Sequence, residues 1–173
     1  LTPVIWRGPM VMKALQQFLE DVEWGNLDLL VVDLPPGTGD AQLTITQQLP
    51  LDGAVIVTTP QDVALIDARK GLAMFQKVSV PVLGVVENMS AFVCPHCGTE
   101  SEIFKRGGGR RTAEQLEVPF LGEIPIEPAI VTGGDAGTPI VAADPSSIAA
   151  KAFTDLARKV AARLGADGVH ATL

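Results

Sequence analysis

The chain has 173 residues, 47% of them hydrophobic and 19% charged, with a formal net charge of −7. This balance fits one domain of ordinary size with a real core. The acidic charge argues against a nucleic-acid footprint, and no apolar run reaches the roughly 18 residues of a membrane span. Only two cysteines occur, in one short motif, so the chain is not a disulfide scaffold and a reducing cytosol is its natural home.

Taken in order, Leu1 to Pro9 carries no signal-peptide pattern, and Trp6-Arg7-Gly8-Pro9 reads as a turn. Val11, Leu15, Phe18, Leu19 and Val22 then recur at helical spacing, predicting an amphipathic helix from Met10 to about Val22 that stops at Gly25-Asn26. Leu29-Leu30-Val31-Val32 shows no period-two alternation and predicts a strand buried on both faces. Asp33 would emerge at its carboxyl edge, where open α/β sheets bind ligands and a carboxylate can hold Mg²⁺. Pro35-Pro36-Gly37-Thr38-Gly39 forbids helix and strand alike, and its glycines let backbone pass close to a phosphate. Together these suggest a nucleoside-triphosphate site; a capped strand with an ordinary turn is the alternative.

A short helix is expected over Ala41–Leu49, with Leu43 and Ile45 inward and Pro50 closing it. Ala54–Val57 is a second buried strand, Asp62 a helix cap, and Leu65, Ala68, Leu72 and Phe75 a core stripe. Val82–Val86 is a third strand, which puts Asn88 at a strand tip on the same edge as Asp33; its amide suits a purine edge. Cys94-Pro95-His96-Cys97-Gly98 follows. Two thiolates at i and i+3 can converge on one metal, yet a tetrahedral zinc or a cubane cluster takes four ligands. A two-fold dimer, completion by His96, His170 or upstream residues, or a redox disulfide all remain open. Gly107–Arg111 reads as a flexible, solvated basic loop, Thr112–Leu116 as a short helix and Phe120–Ile124 as a fourth strand, with Pro125 opening a loop at its tip. Gly133–Pro139 is a long turn. Ser146 or Ser147 caps a last helix to Leu164, and the end from Gly165 is frayed. The expected architecture is α/β: a mostly parallel sheet with helices on both faces, in a single domain over 1–173 with a cysteine loop at 89–103.

Trp-Arg-Gly-Pro-Met, Val-Asp-Leu-Pro-Pro-Gly-Thr-Gly-Asp, Val-Thr-Thr-Pro-Gln-Asp and Val-Glu-Asn-Met-Ser, followed by Cys-Pro-His-Cys-Gly, occur in this order. From Val4 to about Leu164 the chain resembles the Mrp/ApbC iron–sulfur cluster carriers, deviant-Walker-A P-loop ATPases related to MinD and ParA. The resemblance implies a cytoplasmic homodimer that binds ATP and Mg²⁺ and carries a [4Fe–4S] cluster to apoproteins. On it, Asp33 is the Walker-B acid, Pro36 and Gly37 lie in switch II, Asn88 and Pro125 flank adenine, and Cys94 and Cys97 are the cluster ligands. The first strand, the P-loop with its lysines and the switch-I aspartate would lie upstream. The intact protein is then the ATP hydrolase, whereas this chain alone is expected to bind ATP poorly and hydrolyse little. A partitioning ATPase of the ParA/MinD kind, acting on DNA or membrane, and a structural zinc module are the competing classes. The acidic charge and the cysteine pair count against the first.

Overall fold

A computed structural model describes residues 8–34, 42–43, 45–46 and 49–165. In chain order these form α1 (Gly8–Glu20), β1 (Ala54–Thr58), α2 (Asp62–Lys77), β2 (Val82–Val93), β3 (Glu100–Ser101), α3 (Gly108–Gln115), β4 (Phe120–Ile126), α4 (Pro128–Asp135), α5 (Ile140–Ala143) and α6 (Ile148–Arg163). Residues 42–43 and 45–46 are helical, with Ile45 buried and Leu43 packed against the core, as their spacing predicts.

β2 is the centre of the sheet. It pairs in parallel with β1 on one side and with β4 on the other, and its far end pairs antiparallel with β3. The sheet is thus mostly parallel. Its two faces are read from successive β2 residues, which point to opposite sides of a strand. Val85 packs into a cluster with Ala68, Leu72 and Phe75 of α2 and Ala113 of α3. Val86 packs with Leu121 and Ile124 of β4 and with Phe153, Leu156 and Val160 of α6. Helices therefore cover both faces, as the uninterrupted apolar runs require of a parallel sheet. Ser147 caps α6, its side chain accepting a hydrogen bond from the Ala150 amide at 3.1 Å.

Several local expectations are corrected. Leu29–Val32 is not a strand; Leu29, Leu30 and Val31 are 47%, 43% and 81% exposed. A strand exists only through ladder bonds to a neighbour, and β1, β2 and β4 pair with one another without reaching this segment. Phe18 of α1 is likewise exposed, although the helix itself forms where predicted, because no core face among the described residues covers it. Asp62 lies in the first turn of α2 and pairs with Lys105 at 3.1 Å, while the N-cap position is Gln61. Gly133-Gly134-Asp135 closes α4 rather than opening a turn: Pro128 sits at the first helical position, where its missing N–H costs nothing. The end beyond Gly165 lies outside the described residues.

Gly84 shows how tightly β2 is fitted. It stands at a φ of +153°, and a Cβ there would meet the Pro119 carbonyl oxygen at 2.6 Å and Leu121 Cγ at 2.7 Å. Both neighbours belong to the β2–β4 contact, and the carbonyl already accepts from the Val85 amide at 2.8 Å. Gly84→Ala is expected to cost about 3 kcal/mol, an overpacking penalty at the upper end of its range. Thermal unfolding should show a Tm lower by roughly 6–12 °C for a chain of this size. An unchanged Tm would show that the β2–β4 seam takes up a methyl group without strain.

Candidate functional site

The site is built on the carboxyl half of β2. Val82–Val93 is far longer than the expected strand, so Asn88 lies within it and not at its tip. Asn88 pairs in register with Ile124, and the next paired residues are Phe92 and Ile126. Three residues of β2, Met89 to Ala91, therefore face one residue of β4, which is Pro125. Pro125 is itself buried inside β4, not in a loop beyond it. A proline donates no ladder bond and is tolerated at such a bulge. Met89 takes a positive φ of 57°, its amide donating to Asn88 Oδ1 at 2.9 Å, and Ser90 Oγ donates to the Ile124 carbonyl at 3.3 Å. Two of the expected nucleotide contacts, Asn88 and Pro125, are thus brought together by the sheet. Asp33 is exposed and lines a separate hollow with Phe18, Trp24, Leu30, Ile45 and Leu49. Pro36 and Gly37 lie outside the described residues.

β2 runs directly into the cysteine motif. Phe92 pairs with Ser101 and Val93 with Glu100, so Cys94–Thr99 is the tip of a hairpin. The Cys94 amide donates to the Thr99 carbonyl at 3.0 Å and the Gly98 amide to the Cys94 carbonyl at 2.9 Å. Gly98 supplies the left-handed φ of 69° that this turn needs. Both cysteines are free; Cys94 is half-buried and Cys97 exposed. Cys97 Sγ lies 3.2 Å from Thr99 Oγ1. The Thr99 hydroxyl first, then its backbone and the Cys94 thiol, hold the Cys97 thiol below its ordinary value. That favours the thiolate, the form that ligates metals. His96 is exposed on the same tip, and no three His, Cys, Asp or Glu side chains among the described residues converge as a metal site. His170 lies outside the described residues.

The return from the hairpin carries residues that the sequence misassigned. Gly107-Gly108-Gly109 is not a solvated loop. It opens α3, with Gly107 in the left-handed region at φ 80°, and presents amides to the fully buried Glu87. Glu87 Oε1 accepts from the Gly107 amide at 2.8 Å and Oε2 from the Gly109 amide at 2.5 Å. Arg106 ties the hairpin to the sheet through Glu100 at 2.7 Å and Glu123 at 2.8 Å; Arg110 adds Glu123 at 3.6 Å and stacks over Phe120 at 4.4 Å. Hydrogen bonding to Glu123, its largest cause, raises the Arg106 pKa. An acid placed just before three glycines in space could have been suspected only from the glycine run itself.

Residues 1–161 match the family model described as ParA, NUBPL iron-transfer P-loop NTPase. The chain belongs to this family. Among its relatives, it is 59% identical over 158 residues to the Arabidopsis thaliana iron–sulfur protein required for NADH dehydrogenase, mitochondrial, covering 91% of this chain and 50% of that protein. It is 54% identical to the iron–sulfur cluster carrier protein of Synechocystis, covering 94% and 46%, and 51% identical to the mouse iron–sulfur cluster transfer protein NUBPL, covering 94% and 51%. The chain thus spans about half the length of these relatives. Among solved structures, a nucleotide-binding protein of Archaeoglobus fulgidus in complex with ADP aligns with TM-score 0.67 at 41% identity, covering 74% of this chain and 53% of that one. The cell-division ATPase MinD of Pyrococcus furiosus aligns with TM-score 0.63 at 26% identity, covering 87% and 56%. The expected fold class and family are both borne out. No helix among the described residues is long and apolar enough to cross a membrane.

Proposed function

We propose that this chain is the cysteine-bearing portion of an ATP-dependent carrier that takes a [4Fe–4S] cluster as cargo and passes it to apoproteins. Residues 1–173 form part of a single nucleotide-hydrolase domain, and the carrier works as a homodimer in a reducing compartment such as the cytosol. Cys94 and Cys97 are the cluster ligands. Asp33 holds Mg²⁺ and Pro36, Gly37, Asn88 and Pro125 contact the nucleotide. The names of the relatives support the cargo, and the ADP complex of the Archaeoglobus neighbour supports the nucleotide.

The observation that carries this reading is the hairpin tip. It offers two free thiols, one of them shifted toward thiolate, and no converging third donor among the described residues. Two thiolates match half of a cubane's four. An isologous two-fold contact supplies the other half from the same sequence. A cluster held at such a seam is exposed, as release to an acceptor requires.

The test is anaerobic reconstitution of the full-length protein with iron and sulfide, read by metal and sulfide content and by native mass. The expected species is a dimer with one four-iron cluster. A cluster complete on one monomer, or zinc retained stoichiometrically by each chain, would overturn the bridging assignment; zinc would favour a structural module.

A further inference from the structure

We propose that Glu87 is the positioning residue of the cysteine hairpin, clamping the start of α3 so that the chain returning from the hairpin rejoins the sheet at one fixed point. The inference rests on the reading of Cys94 and Cys97 as cluster ligands and assigns the part of the fold that aims them.

Glu87 lies on β2 between its register partners Thr58 of β1 and Glu123 of β4, at the last position before Asn88 and the bulge. Its side chain is 0% exposed and both carboxylate oxygens are satisfied, by the amides of Gly107 and Gly109. A buried carboxylate is retained only where such donors meet it, and the amino end of a helix supplies both N–H groups and favourable dipole. The helix end in turn needs glycine to approach. A Cβ on Gly109 would lie 3.0 Å from Glu87 Cβ and 3.3 Å from Thr58 Cγ2, and one on Gly108 would lie 3.0 Å from the Pro60 carbonyl oxygen. Acid and glycines therefore form one fitted contact. Residues 88–106, including the whole hairpin, lie between Glu87 and the first amide it binds.

The hairpin has other attachments, and they explain why the clamp matters. Arg106 is the residue immediately before the clamp, and its bonds to Glu100 and Glu123 hold β3 against β4. The Arg106 side chain is 39% exposed, with Glu100 at 52% and Glu123 at 18%, and ion pairs open to water contribute little by themselves. The two-residue β3 pairs with β2 through only two residues. β2 holds the outgoing arm in the sheet through the buried Ser90 bond to Ile124 and the pairing of Phe92 with Ile126. On the return arm only the Glu87 contact is removed from water, so it fixes where the chain comes back.

The test compares Glu87→Gln and Gly109→Ala with the wild-type full-length protein by amide hydrogen exchange in the cluster-free state. Glutamine is nearly isosteric, but in either orientation its NH₂ faces one of the two amide donors, so one bond is lost and two donors oppose each other. Alanine at 109 displaces the same contact from the helix side and leaves the acid in place. A Ser147→Ala variant, which removes the α6 cap far from the hairpin in sequence, serves as control. Expected for both clamp variants is exchange roughly tenfold faster or more across residues 94–107, with β1 and α6 near wild-type rates, since local openings are set by local contacts. Unchanged exchange at 94–107 would overturn the proposal. So would acceleration spread evenly through the sheet, which would make Glu87 an ordinary core residue. If Glu87→Gln does not fold, Gly109→Ala decides alone by the same readout. Cluster loading is measured in parallel. A wild type that takes up no iron and sulfide refutes the cargo reading, while the exchange pattern still decides the clamp.

Discussion

Cys94→Ala and Cys97→Ala, each introduced singly into the full-length protein, are expected to yield cluster-free protein after reconstitution. The reason is ligand arithmetic. On the proposed two-fold bridge, a dimer of either variant presents two thiolates where the wild type presents four, and a cubane does not form on two. The loss should be all-or-none, read as absent visible absorbance and an iron content near zero. Stability should hardly move. Cys97 is exposed and Cys94 half-buried, and neither side chain belongs to a core cluster. Surface changes of this kind stay within about 0.5 kcal/mol. Thr99→Val is the informative companion. It removes the hydroxyl that most lowers the Cys97 thiol while leaving both ligands, so it should slow loading near neutral pH without reducing the final cluster content. Cluster retained by either alanine variant would show that the ligands lie elsewhere.

The second large effect is expected at Asp33. In the full-length protein Asp33→Ala should lower Mg²⁺-dependent ATP hydrolysis by roughly a hundredfold or more, the scale on which loss of a group that supports developing phosphoryl charge is felt. Asp33 is exposed, so its loss should leave the thermal transition within about 0.5 kcal/mol of wild type. Steady-state phosphate release with a Tm measured on the same preparation separates the two. Hydrolysis at the wild-type rate would make Asp33 a chain turn near an apolar hollow and nothing more. Cluster content of this variant, measured alongside, shows whether hydrolysis is needed to load the cargo or only to move it.

Much of the sheet was legible because it is local. Ala54–Val57, Val82–Val86 and Phe120–Ile124 are apolar runs of strand length bounded by turns, and each became part of a parallel strand. The helix stripes of α2 and α6 were equally readable, because a 3.6-residue period needs no partner to be seen. The same reasoning failed at Leu29–Val32, whose pattern is as apolar as the others. Pairing is a property of two segments, and the runs of three strands cannot say whether a fourth will find an edge.

The cysteine pair shows the same division at the site. Spacing alone settled that two sulfurs can serve one metal, and that the pair supplies two of the four ligands a zinc or a cubane takes. It did not show that β2 runs on to Val93, so that the pair caps a hairpin instead of floating in a loop. The bulge opposite Pro125 was invisible too, since it arises from mismatched residue counts on two strands.

Composition and hydrophobic period by themselves determined an acidic, mostly parallel α/β protein, because both are written along the chain; the family came from the resemblance of its motifs, in their order, to known carriers. Tertiary structure alone decided what Gly107–Gly109 does. Glycine permits a helix start, a loop or a close approach equally well, and only the carboxylate of Glu87, brought there by a strand twenty residues earlier, selects among them.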